Sequence, residues 1–371
     1  MIIPRKKSEN PAQIRRDTKI RAVLRKFIAV WTASLMCLSV CPVLAEENAL
    51  QLPEEDPFQG SAGLPAGIEG MGFPTLTEQQ FAVDDLPEGY LEEVSQTGHV
   101  EKVRYTTSDE KREVKSLMVY LPQGYDTSED RYNVLYILHA ASGSPKNYLD
   151  PDRKTPFQCL LDNMIGDGTL QPLIVVAATY YPTEGFTQFL PLAMQVEVTA
   201  AFPRELVEDI IPAVESKYRT HAVSIDAEGI RASRDHRAIA GFSLGGVTTW
   251  YVFLQQMRAF RWFLPISEAS WADDAGGTSG IFDSDMSAQV LYDAVKEQGF
   301  GKDDFRLYVA TGTEDEAFDV STSQMVSLLE YADLFKPGDN TSCSMMIGGT
   351  HTLQALYTYL YHILPALFAG L

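Results

Sequence analysis

Ser243 stands in Gly241-Phe242-Ser243-Leu244-Gly245, directly after the apolar run Ala238-Ile239-Ala240 and directly before a helical pattern. A serine hydroxyl is a weak nucleophile. A site built on one must hold it exposed and supply a base, an orienting acid and donors for the negative charge that develops. Strand, Gly-x-Ser-x-Gly and helix, in that order, make a nucleophile elbow. The serine occupies a strained turn, the flanking glycines remove Cβ atoms that would clash across it, and the new helix offers free backbone N–H groups. The expected chemistry is nucleophilic catalysis by the serine hydroxyl.

The base has to come from six histidines. His99 precedes the expected sheet, and His139 follows a strand but lies before the serine. His221 follows an amphipathic helix, His236 enters the elbow strand at its N-terminal end, and His362 sits inside the terminal helix between Leu360 and Ile363. Chains with this elbow run serine, acid, histidine. His351 fits that order: it follows the short strand Cys343–Ile347 and the pair Gly348-Gly349, in a loop able to bring an imidazole over the serine. For the acid, the strand 305–310 runs into Thr311-Gly312-Thr313-Glu314-Asp315-Glu316. Asp315 is the first choice to accept from His351 Nδ1–H and fix its tautomer. Glu314 and Asp319 are near enough to compete, whereas Asp283 and Asp285 follow no clear strand and read as solvent-facing. One oxyanion donor is expected from the Leu244 amide, the other from Ala140 or Ala141 in the loop His139-Ala140-Ala141-Ser142-Gly143. His139 itself reads as a brace for that loop.

These residues need a frame that brings strand ends together. From about residue 88, strand-like and helical patterns alternate: strands at 114–121, 132–138, 173–178, 238–240, 262–266, 305–310 and 343–347, and helices at 204–218, 248–256 and 353–368. Such alternation over more than 250 residues predicts an α/β fold, a doubly wound and mostly parallel sheet in a single catalytic domain at 88–371, with the site at the C-terminal strand ends.

The chain of 371 residues is 45% apolar, ample for one large core. Its net charge of −20 is unevenly spread. Residues 1–45 hold nine Lys or Arg and two Asp or Glu, leaving 21 basic against 48 acidic side chains, a formal −27, in the remainder. Such a body is a poor match for nucleic acid or anionic lipid. The basic run Arg15 to Lys26, the uncharged apolar run Phe27 to Leu44 and Val43-Leu44-Ala45 predict a signal peptide at 1–45 and a secreted protein, with an uncleaved anchor as the alternative. Residues 46–87 are acidic and rich in Pro and Gly and are expected to be a disordered leader. Cys159 and Cys343 lie in apolar stretches and are expected as buried free thiols. No His-x-His, His-Glu-x-x-His or Cys-x-x-Cys spacing, no P-loop and no dinucleotide fingerprint occurs after residue 45, so neither metal nor cofactor is expected.

From about residue 90 to the end, the chain resembles the esterase D-like branch of the α/β-hydrolases, which includes the feruloyl esterases of carbohydrate esterase family one. The resemblance is carried by Val119-Tyr120-Leu121-Pro122-Gln123-Gly124-Tyr125, Val134 to His139, Glu205 to Pro212, Ala240 to Gly246, Gly312 to Asp315 and Gly349-Thr350-His351. It implies Ser243, Asp315 and His351 as the triad, and hydrolysis of feruloyl or acetyl esters of plant cell-wall polysaccharide. It also implies Trp271 as a wall for an aromatic or sugar ring; Tyr180 and Tyr181, just after a strand, are further pocket candidates. Two segments depart from the branch: His139-Ala140-Ala141 stands where His-Gly-Gly is usual, and Ser267-Glu268-Ala269-Ser270 where Ser-Gly-Asp-Tyr is usual. A siderophore esterase or acyltransferase of the same fold is the enzymatic alternative, and a non-catalytic binding protein the alternative of another class.

Overall fold

The computed structural model describes residues 79–82, 86–273 and 279–371. The expected signal peptide at 1–45 and the leader as far as residue 78 lie outside the described residues. The chain divides into two units at residue 72, and everything described belongs to the second, residues 73–371.

Among the described residues nine strands form one sheet: β1 Gln79–Ala82, β2 His99–Thr106, β3 Val114–Leu121, β4 Asn133–Leu138, β5 Leu173–Ala178, β6 Arg237–Phe242, β7 Trp262–Ile266, β8 Arg306–Gly312 and β9 Thr341–Ile347. Their spatial order is β1-β9-β8-β7-β6-β4-β5-β3-β2. All neighbouring pairs are parallel except β3 with β5 and β2 with β3. Strands β4, β5, β6 and β7 are near-continuous apolar runs because helices cover both faces of the sheet. Two edge strands differ from the expected plan. His99, expected before the sheet, opens β2, whose exposed Lys102 and Arg104 alternate with buried Val103 and Tyr105. Strand β1 falls inside the stretch expected to be leader and pairs in parallel with β9.

The helices longer than ten residues are α1 Pro156–Gly166, α2 Leu192–Glu205, α3 Leu244–Gln255, α4 Ser284–Glu297, α5 Phe318–Leu329 and α6 Leu353–Ile363. The helix expected from residue 204 starts instead at Leu192. It passes through a π turn, Leu206–Ile210, before the short helix Ile211–Glu215. Pro212 has no N–H to give and its ring crowds the preceding turn, so the register slips there and Ile211 N–H reaches Leu206 O.

A buried ion pair sits beneath the elbow strand. Arg237, its first residue, donates to both oxygens of Glu215 at 2.6 and 2.8 Å. Its remaining N–H groups go to Ile230 O, Ala259 O and Ser233 Oγ, and Tyr136 OH also donates to Glu215. Such a pair repays its desolvation only when fully hydrogen-bonded, as here. Cys159 and Cys343 are free and buried.

Candidate active site

Ser243 adopts φ 56° and ψ −123°, a conformation that costs a non-glycine residue energy and is kept by its surroundings. Its N–H donates to Ile266 O at 3.0 Å, and Val247 N–H donates back to Ser243 O. The glycines allow the close packing. A Cβ on Gly241 would lie 2.0 Å from Gly245 O, and one on Gly245 would lie 2.4 Å from Leu138 O. The elbow is therefore pressed onto the end of β4, where the second oxyanion donor was expected. Leu244 is the first residue of α3, and its N–H has no carbonyl a turn earlier to bind.

Asp315 and His351 come from two loops locked to each other. Glu314 N–H donates to Gly349 O at 3.0 Å, Thr313 N–H to Met346 O, and Gly348 N–H to Thr313 Oγ1. Gly312 and Gly349 meet backbone to backbone: a Cβ on Gly312 would lie 2.1 Å from Gly349 O. His351 Nδ1 and Asp315 Oδ1 are 2.8 Å apart. A carboxylate only accepts, so Nδ1 carries the proton and the Nε2 lone pair is left for a hydroxyl. The same Asp315 oxygen accepts from Ala317 N–H at 2.8 Å. Of the three competing acids it is Asp315 that meets His351; Glu314 contributes its backbone, and Asp319 lies in the first turn of α5. Phe242, the residue before the serine, stacks on the His351 ring with centroids 4.6 Å apart, which seats the imidazole beside the elbow. Burial by itself would lower the His351 pKa. The hydrogen bond and charge of Asp315, with the charges of Glu316 and Glu268, outweigh it and hold the imidazole above its ordinary value.

The loop after β4 is held by a relay. Burial pushes the His139 pKa down to about 4, so the ring is neutral near pH 7. Nδ1 lies 2.8 Å from Ala140 O and must donate to it, and Nε2 then accepts from Thr179 Oγ1 at 2.8 Å. Thr179 in turn accepts from Tyr181 N–H. Tyr180 OH donates to His139 O, and Tyr181 OH accepts from Ser142 N–H at 2.8 Å. Both tyrosines, expected as pocket residues, are buried at 2% and 1% exposure, with their hydroxyls committed to this loop. Ser142 and Gly143 N–H are both occupied, whereas Ala140 and Ala141 N–H have no acceptor among the described residues. Trp271, expected as a ring wall, is 2% exposed and packed rather than open. A cavity of about 540 Å³ is lined by Tyr180 together with Thr107, Pro182, Phe202 and Glu205, among others; Ser243, Asp315 and His351 do not line it.

Two participants escaped the sequence reading. Thr179 follows β5 as an ordinary polar residue. Glu268 lies two residues beyond β7, in the segment that departs from the branch, and only the order of the strands puts it beside the triad.

Among known proteins, residues 109–334, more than half of the chain, match the Esterase family model, described as "Putative esterase". Endo-1,4-beta-xylanase Y of Acetivibrio thermocellus is 32% identical over 287 residues, 76% of this chain and 24% of that protein. An endo-1,4-beta-xylanase/feruloyl esterase of Xylanibacter ruminicola is 27% identical over 186 residues, 49% of this chain and 22% of that one. The chain thus spans about a quarter of the length of these curated relatives. Among solved structures, a serine-to-alanine mutant of the feruloyl esterase module from Clostridium thermocellum, complexed with sinapinate, superposes with a TM-score of 0.66 at 31% identity, covering 77% of this chain and 93% of that one.

Proposed function

The chain belongs to the Esterase family of α/β-hydrolases, in its feruloyl-esterase branch; on that premise we propose that it is a carboxylic ester hydrolase, a secreted serine esterase that removes feruloyl or acetyl groups from plant cell-wall polysaccharide through an acyl-serine.

Ser243 Oγ attacks the ester carbonyl as His351 Nε2 takes its proton. Asp315 holds the imidazole in the required tautomer and stabilises the imidazolium. The oxyanion receives the Leu244 N–H and one N–H from Ala140 or Ala141, each such donor being worth about 3 kcal/mol in the transition state. His351 then protonates the departing alcohol, and water, deprotonated by the same imidazole, releases the acid and regenerates Ser243. The observation that carries this reading is the 2.8 Å Asp315–His351 bond on a loop seated against the strained serine turn. The acyl class is supported by the relatives' names and the bound sinapinate. Secretion is supported by the apolar run from Phe27 behind its basic flank. In the described residues no helix is long and apolar enough to cross a membrane.

A panel of aryl acetate, methyl ferulate, acetylated xylan and a siderophore lactone tests it. Methyl ferulate or acetylated xylan should be turned over with the highest kcat/KM. Preference for the lactone, or turnover of none, would reject the assignment.

A further inference from the structure

Glu268 is a buried carboxylate that the triad mechanism leaves unused. Its strand, β7, runs between β6, which carries Ser243, and β8, which carries Asp315. Ile266 is level with Phe242 on one side and Ala310 on the other, so residue 268 reaches the rim between nucleophile and acid. Ser267, at φ 55° with its N–H on Ala310 O, turns the chain there. The turn lays Glu268 on the first turn of α3: a Cβ on Gly246 would lie 3.4 Å from Glu268 Cβ, and Trp250 Nε1 donates to Glu268 O at 3.2 Å. One carboxylate oxygen accepts from Ala269 N–H at 3.1 Å. Trp271 lies close enough to act on the carboxylate, although its buried Nε1 is outside hydrogen-bond geometry.

We propose that Glu268 is a second positioning carboxylate for His351, sharing with Asp315 the stabilisation of the imidazolium formed at each acyl-transfer step. The inference rests on the ester-hydrolase reading above. The charged groups acting here come from each neighbouring element: Asp315 and Glu316 after β8, and His351 after β9. Tyr359 of α6 faces Asp315. The first turn of α3, Leu244-Gly245-Gly246-Val247, brings no titratable side chain. Burial raises the Glu268 carboxyl to about 7, against the opposing Ala269 N–H bond and the charge of His351. Each negative charge on Glu268 therefore favours a proton on His351, and the two groups titrate as a pair.

The test is an NMR titration of the histidine ring nitrogens in the full chain, alongside the pH profile of kcat/KM. In Glu268→Gln, the His351 pKa should fall by about half a unit or more, and the ascending limb should move down by the same amount. Glu268→Asp, which keeps the charge, should stay within about 0.2 units of the wild type. An unmoved His351 pKa in folded Glu268→Gln, or an equal fall in both variants, would assign Glu268 to packing and overturn the proposal. The ring titration needs no ester, so absence of turnover in the wild type would sink the functional reading and leave this one to be decided by the NMR.

Discussion

The chemistry of the site is set by charge around one imidazole. His351 is held above its ordinary pKa mainly by Asp315, yet in the proposed mechanism it must be neutral to accept the proton of Ser243. kcat/KM should therefore climb with pH through a value above the ordinary 6.5 or so of histidine. Asp315→Asn removes an acceptor and a charge, both of which favour the imidazolium. The limb should then move to lower pH while the plateau falls on the order of 10⁴-fold. A limb that stays in place would show that another group sets the profile. At this scale the sequence was informative because each triad member directly follows a strand. It was silent on Glu268, because burial beside a histidine depends on which strand ends are neighbours. Tyr180 and Tyr181 illustrate the same limit: which hydroxyl braces the loop after β4 is fixed by the neighbouring strand end, while Tyr180 also lines a cavity.

At the scale of elements, the elbow depends on what lies beneath it. The Glu215–Arg237 pair fixes the start of β6 in the core, and both side chains are 1% exposed. Glu215→Gln would leave the guanidinium buried without its counter-charge, at a cost of about 3–5 kcal/mol. Denaturant unfolding should show that loss in the midpoint, with kcat of the remaining folded enzyme little changed. A loss below about 1 kcal/mol would mean the pair is solvated. The central strands were readable as unbroken apolar runs. The edges were not: β1 is four residues long, and β2 buries only alternate side chains. The start of α2 was missed because Pro203 looks like a boundary, whereas the helix from Leu192 carries it inside.

Over the whole molecule, acid should unfold the protein through its histidines. His139, His221 and His236 all have folded pKa values lowered, chiefly by burial, and the last two stack with centroids 3.7 Å apart. A histidine kept neutral in the fold binds fewer protons than in the unfolded chain. Stability should therefore be full above about pH 6.5 and decline as pH falls towards the folded values, about 4 for His139. Thermal midpoints from pH 8 to 4 check this; a midpoint flat to pH 5 would refute it. The acidic body and the site at its strand ends suit a neutral polysaccharide ester better than a polyanion. The decisive measurement is hydrolysis of methyl ferulate by the purified protein and by its Ser243→Ala variant, both shown to be folded. Turnover is expected from the first and a fall in kcat on the order of 10⁴-fold or more in the second; a variant that keeps the wild-type rate would remove Ser243 from the chemistry.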